Sequence, residues 1–372
     1  MKRLPILPGS PDILTDTLLA LGERAGRSAV DRRRFLAGLA ALGLAPAAAS
    51  AQQARLVVLA KWGGDSIRHF QTIFGEPFTR ETGARVVIDG SGPSAGRIRA
   101  MVEARRVTWD VCDSSDANSV ILGRQNLVQR IDYNRVDRAA VFPEFAYEFC
   151  VAAYLFSNVL TWDTTKFGGR APQSWADFWN VRDFPGRRTM RRDLQGAFEI
   201  ALLADGVPMD RLYPLDERRA MAKLREIKPH TIFWGSAADS QTLLREGEVT
   251  MGCLWSTRAS QVGRDTRGRI RFTLNQGQII PGVWVVPTAN PAGTMAFDFI
   301  RSMQNPERQA ALFRAWDLAP ANPAGGALIP ADLADVNLAS EANRRRQFSI
   351  DAQWYIDNQE RLQPIFLDLI SS

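Results

Sequence analysis

The chain has 372 residues with 46 Lys/Arg, 40 Asp/Glu and a formal net charge of +6. Only two histidines and three cysteines are present, so zinc hydrolysis, His-assisted nucleophilic catalysis and a His-based redox site lack raw material. Residues 1–51 hold seven of the bases and four of the acids, so the remaining 321 residues carry only +3. That balance argues against nucleic-acid binding, which needs a concentrated basic stripe.

In chain order, the first signal is Arg32-Arg33-Arg34-Phe35-Leu36, followed by an uncharged Ala/Leu/Gly run that ends in Ala49-Ser50-Ala51. Paired arginines, a short apolar stretch and small residues at −3 and −1 predict a cleaved twin-arginine export signal and a periplasmic protein. The apolar run is only 15 residues and mostly Ala and Gly. A spanning helix wants about 20 strongly apolar residues. No later segment is long and apolar enough to span a bilayer.

The mature chain opens with a strand at 55–60 leading into Lys61-Trp62-Gly63-Gly64. Apolar spacing through Ile67, Phe70, Ile73, Phe74 and Phe78 predicts a helix over 67–82, stopped by Gly83. A strand at 84–88, a Gly/Ser turn at 90–94, a helix through Ile98 and Met101, a strand at 109–112 and a helix from 116 follow. Then come an apolar run at 151–156, a helix at 175–179, a strand at 188–190 and helices at 196–204, 217–227 and 240–246. Strands at 249–254 and 282–286 and a long amphipathic tail helix after Gln347 complete the reading. Strand alternating with helix predicts an α/β protein, a parallel sheet with helices on both faces. Ligands of such sheets bind beyond the carboxyl ends of strands. Trp109, Trp175 and Trp179 are assigned to packing, and Arg344-Arg345-Arg346 to a solvated helix face. Cys112, Cys150 and Cys253 lack C-x-x-C spacing; one disulfide or three buried thiols are both open. His69 and His230 are each read as structural.

Four segments resemble periplasmic solute-binding proteins of ABC importers, most closely the spermidine/putrescine branch. They are Phe78-Thr-Arg-Glu-Thr-Gly83, Trp109-Asp-Val with Leu127-Val-Gln-Arg-Ile-Asp132, Pro172-Gln-Ser-Trp-Ala-Asp-Phe-Trp179 with Phe184-Pro-Gly-Arg187, and Glu246-Gly-Glu-Val-Thr-Met-Gly-Cys-Leu-Trp255. The resemblance implies a type II-like two-lobed fold, with one lobe from 52–156 plus 283–327 and the other from 157–282 plus 328–372. It also implies a monomer that closes on a solute and delivers it to an inner-membrane permease.

By the same resemblance, aromatic walls and carboxylates would hold an ammonium-bearing solute. Trp62 matches one wall, Ser115 a polar position, Asp193 an acidic position and Trp255 a second wall. Other acidic positions of the family fall on Gly64, Gly196 and Gly282, and a late aromatic near Ala319. Asp65, Asp113 and Asp116 are the acids that would compensate for a polyamine. Arg258, one turn after Trp255, would instead hold a carboxylate bidentately. With Asp193 facing an amine, it would select an amino-acid-like zwitterion. Trp234, Asp239 and Trp284 are further wall and polar candidates. The bland alternatives are a helix-dipole role for Asp193 and a surface salt bridge for Arg258.

No P-loop, nucleophile elbow, G-x-G-x-x-G or metal-spaced cluster occurs, so no enzyme, cofactor or metal site is expected. Anion binding by helix N-termini, ferric-ion binding and a sensory rather than importing role stay open, the iron reading weakened by five dispersed tyrosines.

Overall fold

The computed structural model describes residues 56–371. The export signal read at 1–51 lies outside them.

The first half of the chain builds one wing of a mixed sheet. Strand β1 (Leu56–Ala60) is buried along its whole length. It leads into α1 (Asp65–Phe70), a π-helical turn at 71–75 and α2 (Glu76–Thr82). Gly83 closes this run with a left-handed φ of 72°, a conformation only glycine adopts without strain. Strand β2 (Arg85–Asp89), helix α3 (Ala95–Glu103, capped by Ser94), strand β3 (Val111–Ser114) and helix α4 (Asp116–Arg124, capped by Ser115) follow. Val57 and Leu59 point into one core, and Leu56, Val58 and Ala60 into a second on the opposite face. Helices therefore cover both sides of this wing.

Strand β4 (Val151–Asp163) then crosses into the second wing. There a Ser174–Asp177 capping box starts α5 (Trp175–Trp179), followed by β5 (Arg188–Arg191), α6 (Ala197–Ala204), α7 (Glu217–Ile227) and β6 (Thr231–Trp234). Helix α8 (Ala237–Arg245), strand β7 (Met251–Trp255) and helix α9 (Ser256–Asp265) complete it. The 16-residue β8 (Ile270–Val285) returns to the first wing. There α10 (Met295–Met303), α11 (Pro306–Trp316), the short β9 (Ala319–Pro320) and α12 (Pro323–Ala327) pack. Helix α13 (Glu341–Arg344), β10 (Phe348–Ser349) and α14 (Ala352–Ser371) end the chain. Tyr355, Leu362, Phe366 and Leu369 of α14 enter the core of the second wing beside Phe198 and Leu202.

The strand order is β2-β1-β3-β8-β4-β7-β5-β6, with β9 on β4 and β10 on β8. Pairing is parallel within each wing but antiparallel wherever β4 or β8 takes part, apart from short β10. The sheet is therefore mixed, not parallel throughout. The two long strands are what the alternation of elements could not reveal. β4 runs seven residues past the predicted end, through the buried polar pair Ser157 and Asn158. β8 starts 12 residues before the predicted strand, in polar sequence that reads as loop. Between Asn158 and Leu160 the register with β8 slips, so residues 274–277 bulge out. β6, α9, α10 and α11 form where no element was predicted. β3 begins at Val111, leaving Trp109 buried just outside it.

Cys112, Cys150 and Cys253 are buried free thiols, so no disulfide joins them. Burial pushes the Cys253 thiol up to about 12, which keeps it protonated and unreactive. Trp109, Trp175 and Trp179 are buried, as the packing assignment requires.

Candidate functional site

Strand register locates the site. β3 runs antiparallel to β8, with Ser114 opposite Val283. β7 runs antiparallel to β4, with Trp255 opposite Asn158. The carboxyl ends of β1 and β3 thus point toward those of β5 and β7, with the middle of β4 and β8 as floor. Val283 pairs with Ala152 on β4, so the ends of β3 and β7 are separated by six residues of β4, roughly 20 Å along the strand. That interval, over the middle of β4 and β8, is the place where α/β sheets bind ligands.

An aromatic row spans its floor. Trp284 meets Tyr154 edge-on at 6.3 Å, and Tyr154 is 6.5 Å from Phe156. Phe156 meets Trp255 at 6.0 Å, and Trp255 meets Trp234 at 5.6 Å. A cation stands at each end. Lys61 lies over Phe70, Tyr154 and Trp284, and Arg191 lies 5.3 Å from the Trp255 ring. Phe156, Arg191 and Asn158 are cleft residues that sequence reasoning missed. Arg191 was detectable as a cation ending a strand two residues before Asp193. Phe156 and Asn158 were not, because their strand appeared to stop before the cleft.

The predicted site residues divide into two groups. In the second wing, Trp255 ends β7 and its indole Nε1 is buried without a hydrogen-bond partner among the described residues. Asn158 Oδ1, on the facing cross-strand position, is likewise buried and unpartnered, while its Nδ2 donates to Gln278 Oε1 at 2.7 Å. Trp255 is the N-cap of α9, and no side chain accepts a hydrogen bond from that helix's first turn. Arg258 sits in this turn, partly buried. Its guanidinium has no ion pair or hydrogen bond among the described residues, and burial lowers its pKa. The surface salt bridge considered for it does not form. A partly buried cation, an uncapped helix N-terminus and an indole N–H thus occur within one turn of chain, none with a side-chain partner among the described residues. An anion is the chemical partner such a set lacks.

The remaining candidates have protein partners. The Asp193 carboxylate pairs with Arg191 at 3.0 Å and accepts from Gln195 N at 2.9 Å, so its charge is already met. Asp239 is exposed and accepts from Ser236 N in the α8 capping box. Trp234 is buried and donates Nε1 to Cys253 O, making it a support behind Trp255. Ser115 caps α4 by accepting from Asn118 N. Asp116 is 8% exposed and accepts from Ala117 N; burial raises its carboxyl pKa. Trp284 is 2% exposed and belongs to the core, not to an open wall. Asp113 is buried against Lys61, at 2.5 Å. Asp65 is exposed and 4.0 Å from Arg68. Trp62 is 42% exposed beyond β1, with its ring against Gly92.

The glycines at the family's acidic positions have physical causes. A Cβ on Gly282 would lie 2.3 Å from the Tyr154 ring, and one on Gly196 would lie 2.1 Å from Gln278 Oε1. Neutral side chains from the hinge strands fill those spaces. Ala319 is fully buried in β9, opposite Leu155 of β4.

A two-lobed α/β binding protein, with its cleft across paired crossing strands, is the class this geometry defines. The chain belongs to the bacterial extracellular solute-binding protein family, whose model matches residues 74–333. It is 30% identical over 334 residues to a γ-aminobutyric acid-binding protein of Pseudomonas aeruginosa, covering 88% of this chain and 94% of that one. A solved GABA receptor is 28% identical with a TM-score of 0.77, covering 84% of this chain and 97% of its own. An ABC transporter substrate-binding protein of Bradyrhizobium japonicum is 30% identical with a TM-score of 0.79, over 85% and 99%. The Streptococcus pneumoniae spermidine/putrescine-binding protein is 16% identical with a TM-score of 0.69, over 84% and 99%, a likeness of fold alone.

Proposed function

We propose that this protein is the periplasmic solute-binding component of an ABC importer for a short zwitterion, γ-aminobutyric acid or a close ω-amino acid. The observation that carries the reading is the Arg258 guanidinium and the Trp255 Nε1, both without a partner among the described residues, at the uncapped start of α9. Arg258, Trp255 and the α9 backbone N–H groups would receive the carboxylate. Asn158 Oδ1 supplies an acceptor for the ammonium, and the Trp62 and Phe156 rings supply π faces. Two relatives are named for γ-aminobutyric acid, which supports this class. A polyamine fits less well, because Asp113 and Asp193 are each neutralised by a neighbouring cation.

Closure would swing the lobes (52–156 plus 283–327, and 157–282 plus 328–372) about β4 and β8, favoured by contacts made only when closed. The protein works without catalysis, as a monomer delivering its solute to a membrane permease. The twin-arginine signal supports export. Calorimetric titration with γ-aminobutyrate, putrescine and glutamate tests the reading. Saturable binding of γ-aminobutyrate is expected. Binding of putrescine alone would overturn it.

A further inference from the structure

The lobe-1 end of the aromatic row holds a side chain where a ligand would be expected. Lys61 is 1% exposed, although the next residue, Trp62, is 42% exposed. Its Nζ lies 2.5 Å from Asp113 Oδ2 and donates to Tyr154 Oη at 3.0 Å. Tyr154 in turn donates to Asp113 Oδ2 at 2.8 Å. The ring centroids of Phe70, Tyr154 and Trp284 stand 4.3, 4.6 and 5.5 Å from the same nitrogen. The walls come from α1, β3, β4 and β8, and only glycine at 282 lets the Tyr154 ring approach so closely.

One carboxylate, one phenol and three aromatic faces around a nitrogen are the chemistry that recognises a primary alkylammonium. A lysine needs no such enclosure to be stable, since its ammonium is better solvated by water. The enclosure also lies directly behind the cleft wall, with Tyr154 next to the partly exposed Phe156.

We propose that this cage is an ammonium site which the chain fills with its own Lys61, and that Lys61 thereby confines the cleft to solutes with a single ammonium group. The cage itself stands without the zwitterion reading; the statement about solute choice rests on it. Lys61 is a specificity-determining residue that touches no solute.

The test is Lys61→Ala, measured by thermal shift with propylammonium chloride against equal sodium chloride and propanol. The variant is expected to melt lower than the wild type and to recover with propylammonium only. Wild type should show no such response. Putrescine affinity of the variant should rise about tenfold or more, equivalent to about 1.4 kcal/mol. No recovery, or equal recovery with propanol, would overturn the cage. Recovery without any gain for putrescine would overturn Lys61's role in solute choice.

Should Lys61→Ala not fold, Lys61→Met keeps the side-chain length without the charge. Adding Asp113→Asn on that background should then restore part of the lost Tm, by removing a buried carboxylate left unpaired. Absence of that restoration would overturn the proposal. Wild-type titration with γ-aminobutyrate is the separate readout. A wild type that ignores γ-aminobutyrate while Lys61→Ala is rescued by propylammonium refutes the functional reading and not the cage.

Discussion

The two ends of the aromatic row use the same ingredients to opposite effect. At the first-lobe end, Lys61, Asp113 and Tyr154 are buried and satisfy one another inside three aromatic rings. At the second-lobe end, Trp255 Nε1, Asn158 Oδ1 and the Arg258 guanidinium have no hydrogen-bond partner among the described residues. A cation beside an aromatic ring is therefore no sign of a binding site by itself. Clustered unused capacity is the better guide, since the lone unpartnered Asn290 Oδ1 lies past the end of β8. A buried unpaired polar group costs about 1–3 kcal/mol, which a bound ligand would remove.

The contrast breaks most visibly at the closed end. Asp113→Ala should lower stability by about 3–5 kcal/mol, because it strands a buried ammonium; urea unfolding measures this. Stability within about 1 kcal/mol of wild type would mean that the Lys61 pair is not buried as described.

At the open end, the expected effects fall on binding instead. Arg258→Gln should weaken γ-aminobutyrate binding by about 1.5–3 kcal/mol, the range for a hydrogen bond to a charged group, with Tm unchanged. An equal loss of stability would show that Arg258 serves the fold. Trp255→Phe sharpens the comparison further. It keeps an aromatic ring but removes the unpartnered N–H together with the five-membered ring, so binding should weaken by about 1 kcal/mol or more, while the lost packing lowers stability only modestly. Calorimetry and thermal unfolding on the same samples separate the two outcomes.

The smallest effect concerns a second buried charge in that lobe. Glu199 on α6 is fully buried and accepts from Tyr355 Oη at 2.8 Å and from Tyr213 Oη. Burial raises its carboxyl above the ordinary 4.5, with those hydrogen bonds opposing. The folded state therefore holds its proton more tightly than the unfolded one. The resulting stability is full below 4.5 and declines as pH rises through the folded pKa. Glu199→Gln should flatten that decline in a pH series of unfolding midpoints. An unchanged slope would assign the decline to other groups.

Legibility in the sequence followed locality. The helix closed by Gly83, the helices that Ser94 and Ser174 cap and most of the parallel strands are set by neighbours within a few residues, and these elements form about where predicted. The crossing strands do not announce themselves. Asn158 and Gln278 are polar residues buried against each other across 120 positions of chain. Their pairing exists only once β4 and β8 lie side by side. The same limit governs the site. Trp62, Trp255 and Arg258 were visible as residues following strand ends. Whether the Asp113 carboxylate was free could not be read, because Lys61 reaches it through the fold from 52 positions away, whereas Arg191 pairs with Asp193 from only two residues before it.

The sequence by itself thus determined the α/β class, the family and the strand ends on which a site would be built. These depend on periodicity, composition and short spacing, which act locally along the chain. Tertiary structure alone decided which charges are consumed and which are left open. Coulombic and hydrogen-bond partnership depends on distances of a few ångströms between residues that the chain order places far apart.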